Sequence, residues 1–292
     1  MQHILSTYLF VQRKLTPELL AQIAAAKFVG VEVFCSRAHF DYASPEAVRE
    51  LGQSLADKKL FLHALHSPAS RDRGPTREGG TPLSICEVER VRRIDAMDEI
   101  KRALDVAEFV PFRYFVQHVG ASREEPDPRR LDAAFSSLEH LSLHARNAGV
   151  TIVLENTLSE MGTPAHLRTF VNETRLTGLK FCFDVGHANL ADGPAEGKLS
   201  RSFEPMRELS VTSHVHDNHG EKDEHLLPYE GTLDWAEAAR LFVTAPQKEL
   251  PLVLELREPA AHAAAEPPAA AELLEAARKA LDKLEKEMNR AG

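Results

Sequence analysis

The chain has 292 residues, 43% hydrophobic and 27% charged, with a formal net charge of -9 and a pI near 5.9. That balance fits a globular protein with a sizeable core and argues against a dedicated nucleic-acid surface, which needs a basic face. Cys35, Cys86 and Cys182 are odd in number and widely spaced, so they form no disulfide framework or CxxC pattern. No apolar run reaches bilayer length and no basic-then-apolar leader opens the chain, so a cytoplasmic protein is expected.

Ile4 to Phe10 reads as a first strand. Thr16-Pro17-Glu18 predicts a helix start, with Thr as N-cap and Pro at the first helical position, and the helix stops near Gly30. Val31 to Phe34 is a second strand. Ser44-Pro45-Glu46 opens a second helix, which ends near Lys59, and Leu60 to His66 is the third strand. Residues 69–84 are rich in Arg, Gly, Pro and Thr and lack a period, and loops of this length often act as lids. Helical periodicity then runs from Ile85 to Val110, and Arg113 to His118 is the fourth strand. Pro128 to Ala148 is a helix stopped by Gly149, and Val150 to Glu155 is the fifth strand. Thr163-Pro164 opens a helix to Thr174, and Leu179 to Asp184 is the sixth strand. A polar segment with a helix spans Ala195 to Glu208, followed by a seventh strand, Leu209 to Val215. Asp234-Trp235 starts a helix to Val243, with Trp235 as a packing anchor, and Leu252 to Glu255 is the eighth strand. An Ala/Pro-rich tether, 259–269, leads to a charged amphipathic helix, Ala271 to Met288.

Eight short apolar strands alternating with helices imply a buried parallel sheet, and eight such units in this length fit an α/β (β/α)8 TIM barrel. An open doubly wound sheet would want a Gly-rich phosphate turn after an early strand, and none follows Phe10 or Phe34. No linker divides residues 1–292, so one domain is expected, with 260–292 as its closing loop and helix.

Barrels of this kind carry their chemistry at the C-terminal ends of the strands. His66 ends the third strand and His118 the fourth. Glu155 ends the fifth, and Asp184 the sixth, with His187 just beyond. His214 ends the seventh, with Asp223 and His225 in its loop, and Glu255 ends the eighth. Six consecutive strands thus finish on metal-ligand residue types, and a carboxylate closing a buried run such as VTIVLE is costly without a charge partner. Imidazole and carboxylate together suit a divalent ion, and such donors accept manganese, zinc, iron or cobalt. His3, His39 and His63 lie off these positions and read as structural or surface groups. His140, His144, His166 and His262 read as solvated, while His216 and His219 flank the site without an assignment.

These residues resemble the xylose isomerase-like barrel superfamily, which holds sugar and sugar-phosphate isomerases and epimerases and also endonuclease IV-type AP endonucleases. The resemblance runs from the first strand to the eighth. Its most specific parts are LEN at 154–156, FDVGH at 183–187, HVHDN at 214–218, DEHLLPYEG at 223–231 and LELRE at 254–258. The resemblance to ketose 3-epimerases implies one divalent ion, commonly manganese, held by Glu155, Asp184, His214 and Glu255. In that family the two glutamates flank the substrate carbon, one removing a proton beside the carbonyl and the other returning it on the opposite face. His187 is implied to contact substrate oxygens. The ion would stabilise the enediolate that forms when the proton leaves.

The endonuclease IV-type resemblance implies three zinc ions instead, with His66, His118, His187, Asp223 and His225 completing the ligand set. Tyr229 stands where both groups usually carry Gly. A zinc phosphodiesterase acting on abasic DNA would want Arg and Lys at the barrel mouth. Arg71, Arg73 and Arg77 supply some, while Glu124, Glu125 and Asp127 oppose them. A dehydration or lyase reaction could also start from α-proton loss at the same centre, and a barrel that binds a metabolite without turnover is the non-enzymatic alternative. The expected partner is a small carbohydrate, with no membrane and with nucleic acid disfavoured. The C-terminal helix offers a surface for a homo-oligomer.

Overall fold

A computed structural model describes residues 2–71, 81–121, 127–174, 176, 178–247, 250–259 and 268–292. Its strands are β1 His3–Ser6, β2 Gly30–Phe34, β3 Phe61–His66, β4 Tyr114–His118, β5 Thr151–Glu155, β6 Lys180–Asp184, β7 Ser210–Val215 and β8 Leu252–Leu254. All pair in parallel with their neighbours, and β8 pairs with β1, so the sheet closes into the expected (β/α)8 barrel. The helices between strands are α1 Pro17–Ala25, α2 Pro45–Lys58, α3 Arg90–Leu104, α4 Pro128–Asn147, α5 Pro164–Thr174, α6 Val185–Asn189, α7 Lys198–Phe203 and α8 Trp235–Thr244. The final helix is α9 Ala270–Ala291.

Helix starts follow local chemistry. Thr16, Ser44, Asp127 and Asp234 each accept a backbone N–H of the first turn, and Pro follows the first three of these caps. Such a cap contributes about 1 kcal/mol. The main core lies between the sheet and the helices and includes Leu5, Phe10, Phe115, Phe181 and Phe242. A smaller cluster of Ala64, Tyr114, Val116, Val153 and Cys182 is separate from it. The amphipathic helix α9 packs on α8 and α1, burying Leu274, Leu281 and Leu284. Among the described residues, no helix is long and apolar enough to cross a membrane.

The helix read over Ile85 to Val110 begins only at Arg90 and gives way to a 3-10 turn at Asp105–Glu108, and two further elements differ from expectation. The first strand stops at Ser6, and Thr7–Phe10 forms a 3-10 turn. The Ser6 hydroxyl accepts from Tyr8 N–H, and the Thr7 hydroxyl accepts from Phe34 N–H, so side chains replace the ladder there. The second is α6, a short helix directly after β6 that periodicity does not reveal. The expected lid over 69–84 and the tether over 259–269 lie mostly outside the described residues, as do Arg73, Arg77, Glu124, Glu125 and His262.

Barrel register sets the site. His118 pairs with Glu155 across β4 and β5, and Asp184 pairs with His214 across β6 and β7. Val215 pairs with Leu254, which places Glu255 one step past β8. The register slips by one residue between β2 and β3, leaving His63 as the extra residue beside Glu32. It slips again between β6 and β7 at Val211. Such irregularities re-aim neighbouring side chains.

Candidate metal centre

The six strand ends converge. Three groups of donors, each with ligand atoms within 4.8 Å of one another, lie side by side. The first is Glu155, Asp184, His214 and Glu255. His214 Nδ1 lies 3.2 Å from Glu155 Oε1, 3.3 Å from Glu255 Oε2 and 3.7 Å from Asp184 Oδ2. The second is His66, His118 and Glu155, with the two imidazole Nε2 atoms 3.4 and 2.9 Å from Glu155 Oε2. The third is His187, His216, Asp223 and His225, in which Asp223 Oδ1 lies 3.6 Å from His187 Nε2 and 3.1 Å from His225 Nε2. Glu155 belongs to both of the first two groups, and His187 Nδ1 lies 3.3 Å from its Oε1.

His66, His118, Glu155, Asp184, His187, His214, Asp223, His225 and Glu255, the candidates at the strand ends and in the seventh strand's loop, therefore all lie in this cluster. His216 joins it, and sequence reasoning had left it unassigned. Its ring is fully buried, stacks on His225 at 4.0 Å, and places Nε2 3.1 Å from Asp184 Oδ2. His219 does not join, being exposed and bonded to Glu224. Asp217, which shares the HVHDN motif, turns its carboxylate away into the β7–α8 loop, where it accepts Trp235 Nε1–H. His3 and His39 are buried away from the centre, while His63 lies on β3 beside Glu32 and bonds to the Thr212 hydroxyl.

Supporting residues fix the donors. The Asn156 side chain spans β5 and β6, donating to the Asp184 carbonyl and accepting from Asp184 N–H. Asp184 Oδ1 accepts His187 N–H at 2.7 Å, capping α6 and leaving Oδ2 for the cluster. The Nδ1 atoms of His66, His187 and His225 lie 2.8–3.0 Å from the carbonyls of Ser67, Asn156 and Glu255. A proton held on Nδ1 by a carbonyl leaves Nε2 as a free lone pair facing the site. His214 is reversed, with Nε2 3.1 Å from the buried Glu32 carboxylate and Nδ1 toward the donors.

Burial alone would neutralise these groups, yet their mutual charge prevails. Burial pushes the Glu155 carboxyl up, but His214 and His118 beside it hold it well below its usual range. Burial opposes charge on His214 and His187 too, and the surrounding acidic groups raise both well above the ordinary 6.5. His225 goes down, through burial and the neighbouring charge of His216. Glu155 Oε1 and His214 Nδ1 have no hydrogen-bond partner although they face each other across 3.2 Å in a fully buried place. Two buried donor atoms that converge without a hydrogen bond between them fit a divalent cation, which satisfies both at once.

The family model for the xylose isomerase-like TIM barrel matches residues 20–286. The chain belongs to the xylose isomerase-like TIM-barrel family. An uncharacterized protein of Methanocaldococcus jannaschii is 30% identical over 242 residues, covering 80% of this chain and 76% of that one. An uncharacterized protein of Sinorhizobium fredii is 28% identical, over 69% of this chain and 68% of its own. Among solved structures, a D-tagatose 3-epimerase-like protein superposes with a TM-score of 0.76 at 22% identity, covering 99% of both chains. The E. coli 3-keto-D-glucoside 4-epimerase gives 0.71 at 19%, covering 98% of this chain and 99% of that one. At these identities the two structures show the shared fold.

Proposed function

We propose that this chain is a divalent-metal-dependent sugar or sugar-phosphate isomerase or epimerase that moves a proton at a carbon beside a carbonyl. The observation that carries this reading is the placement of Glu155 and Glu255. Both are buried strand-end carboxylates, and both lie within 3.3 Å of the same nitrogen, His214 Nδ1. They therefore converge on one point, where a pair of carboxylates can serve as proton acceptor and donor to one carbon. Glu155, Asp184, His214 and Glu255 would hold the ion, manganese in the nearest reading, with zinc, cobalt or iron compatible with the same donors. A bound divalent ion supplies Lewis-acid charge for a carbonyl and its neighbouring hydroxyl. One glutamate takes the proton and the other returns it, while His187 orients substrate oxygens. Residues 1–292 act as one barrel unit on a small carbohydrate.

The test is solvent-deuterium uptake into ketoses by metal-reconstituted protein. Glu155→Gln is expected to slow exchange by about 10²-fold or more. Retention of wild-type exchange by this variant would overturn the mechanism.

A specific observation favours a second reading, a zinc phosphodiesterase acting on abasic DNA. The donors do not stop at four: two further groups adjoin the first, and Glu155 is common to two of them. That density suits a multinuclear zinc centre. Elemental analysis showing two or three zincs per chain, with cleavage of an abasic duplex and no deuterium uptake into ketoses, would replace the first reading with the second.

A further inference from the structure

Glu32 lies beside the centre although the strand-end pattern does not point to it. It lies within β2, two residues before the strand ends at Phe34, and is fully buried. An ionised carboxylate in such a place is costly unless it is paired. Its partner is 182 residues away: Glu32 Oε2 lies 3.1 Å from His214 Nε2. The opposite nitrogen of the same ring, Nδ1, faces Glu155, Glu255 and Asp184.

A neutral imidazole carries one proton. A carboxylate only accepts, so Glu32 draws that proton to Nε2 and leaves the Nδ1 lone pair for the donor group. His66, His187 and His225 instead place Nδ1 against neutral backbone carbonyls. His214 differs from these three in both nitrogen and partner, and it sits at the middle of the four-donor group. Glu32 lies two residues before Phe34 in β2, so the two share one face of the strand and the carboxylate meets the ring from below the strand ends.

We infer that Glu32 is a positioning residue that fixes the tautomer of His214 and strengthens Nδ1 as a ligand for the ion. This rests on the metal centre proposed above. A carboxylate behind a ligating histidine raises its basicity, and losing such a partner weakens metal affinity by about 10- to 100-fold.

The test compares wild type, Glu32→Gln and Glu32→Ala, each freed of metal. Zinc affinity is read by competition with a chromophoric chelator, and metal-free stability by urea unfolding. The glutamine amide oxygen still accepts the Nε2 proton but carries no charge, so Glu32→Gln is expected to bind zinc about 10-fold more weakly and Glu32→Ala about 100-fold. In the zinc-loaded wild type, 15N-histidine spectra should show His214 protonated at Nε2. If both variants bind zinc within twofold of wild type, the pair is a structural ion pair and the inference falls, whatever happens to urea stability. Should Glu32→Ala fail to fold, the near-isosteric glutamine variant decides by the same criterion. A wild-type chain that binds neither zinc nor manganese overturns the centre itself, and Glu32's role with it.

Discussion

Asp184 divides its two carboxylate oxygens between folding and the centre. Oδ1 caps α6 and Oδ2 faces His216, His187 and His214 at 3.1–3.7 Å. The cap holds Asp184 in one rotamer, so the oxygen available to an ion is already aimed. Gly186 follows for a related reason, because a Cβ there would fall inside the His216 ring. That ring is buried and stacked on His225, so it has no free space to yield. Gly186→Ala should therefore cost about 1–3 kcal/mol of stability through overpacking. It should also displace His216, lowering zinc stoichiometry or affinity at the His187, His216, Asp223 and His225 group more than at the four-donor group. Calorimetric zinc titration of the variant checks this, and two unchanged binding phases would contradict it.

The loop joining β7 to α8 is built on one buried carboxylate. Asp217 accepts the backbone N–H groups of Asn218, Tyr229, Gly231 and Leu233 at 2.8–3.1 Å, and Trp235 Nε1–H at 2.8 Å. Folding the loop back on this acid holds Asp223 and His225 over the barrel. Removing it leaves several buried donors unpaired. Asp217→Ala is thus expected to lose about 3 kcal/mol or more. The chain has a single tryptophan, so a red shift of its emission would report the loosened loop directly. Tyr229 adopts φ +76° in this loop, the left-handed region that explains why glycine is usual at that place. About 1–2 kcal/mol of backbone cost is offset by side-chain anchors that glycine lacks. The hydroxyl donates to Glu287 at 2.7 Å, Lys283 Nζ sits 3.5 Å from the ring centre, and the Trp235 ring lies tilted against it at 5.1 Å. The strands and their polar ends were legible because each is a buried apolar run that stops on a donor. Glu32, His216 and the true role of Asp217 were not. Glu32 interrupts a strand whose partner lies 182 residues on, and Asp217 looks like a ligand until its five donors are placed.

Across the whole molecule, the centre has to balance charge with or without an ion. In the metal-free chain that balance is protonic, with His214 and His187 holding protons against Glu155 and Asp184. A histidine whose folded pKa is raised above its ordinary 6.5 contributes stability that is fully present below that value. The contribution is lost as pH rises through the folded pKa. Glu155 and Asp184 run the other way: held below 4.5 and 3.8, they stabilise above those values and lose that contribution as pH falls. The metal-free protein should therefore weaken on both the acid side and the alkaline side, the latter beginning above the ordinary histidine range. An ion replaces the imidazole protons, so its affinity should rise with pH over the same interval. Free metal at a hundred times its dissociation constant adds about 2.7 kcal/mol, or about 5 °C in melting temperature for a chain of this size. Melting curves with and without chelator from pH 5 to pH 9 should diverge upward, with the gap widest on the alkaline side. A gap that is constant with pH would mean that the histidines carry no proton for the ion to displace.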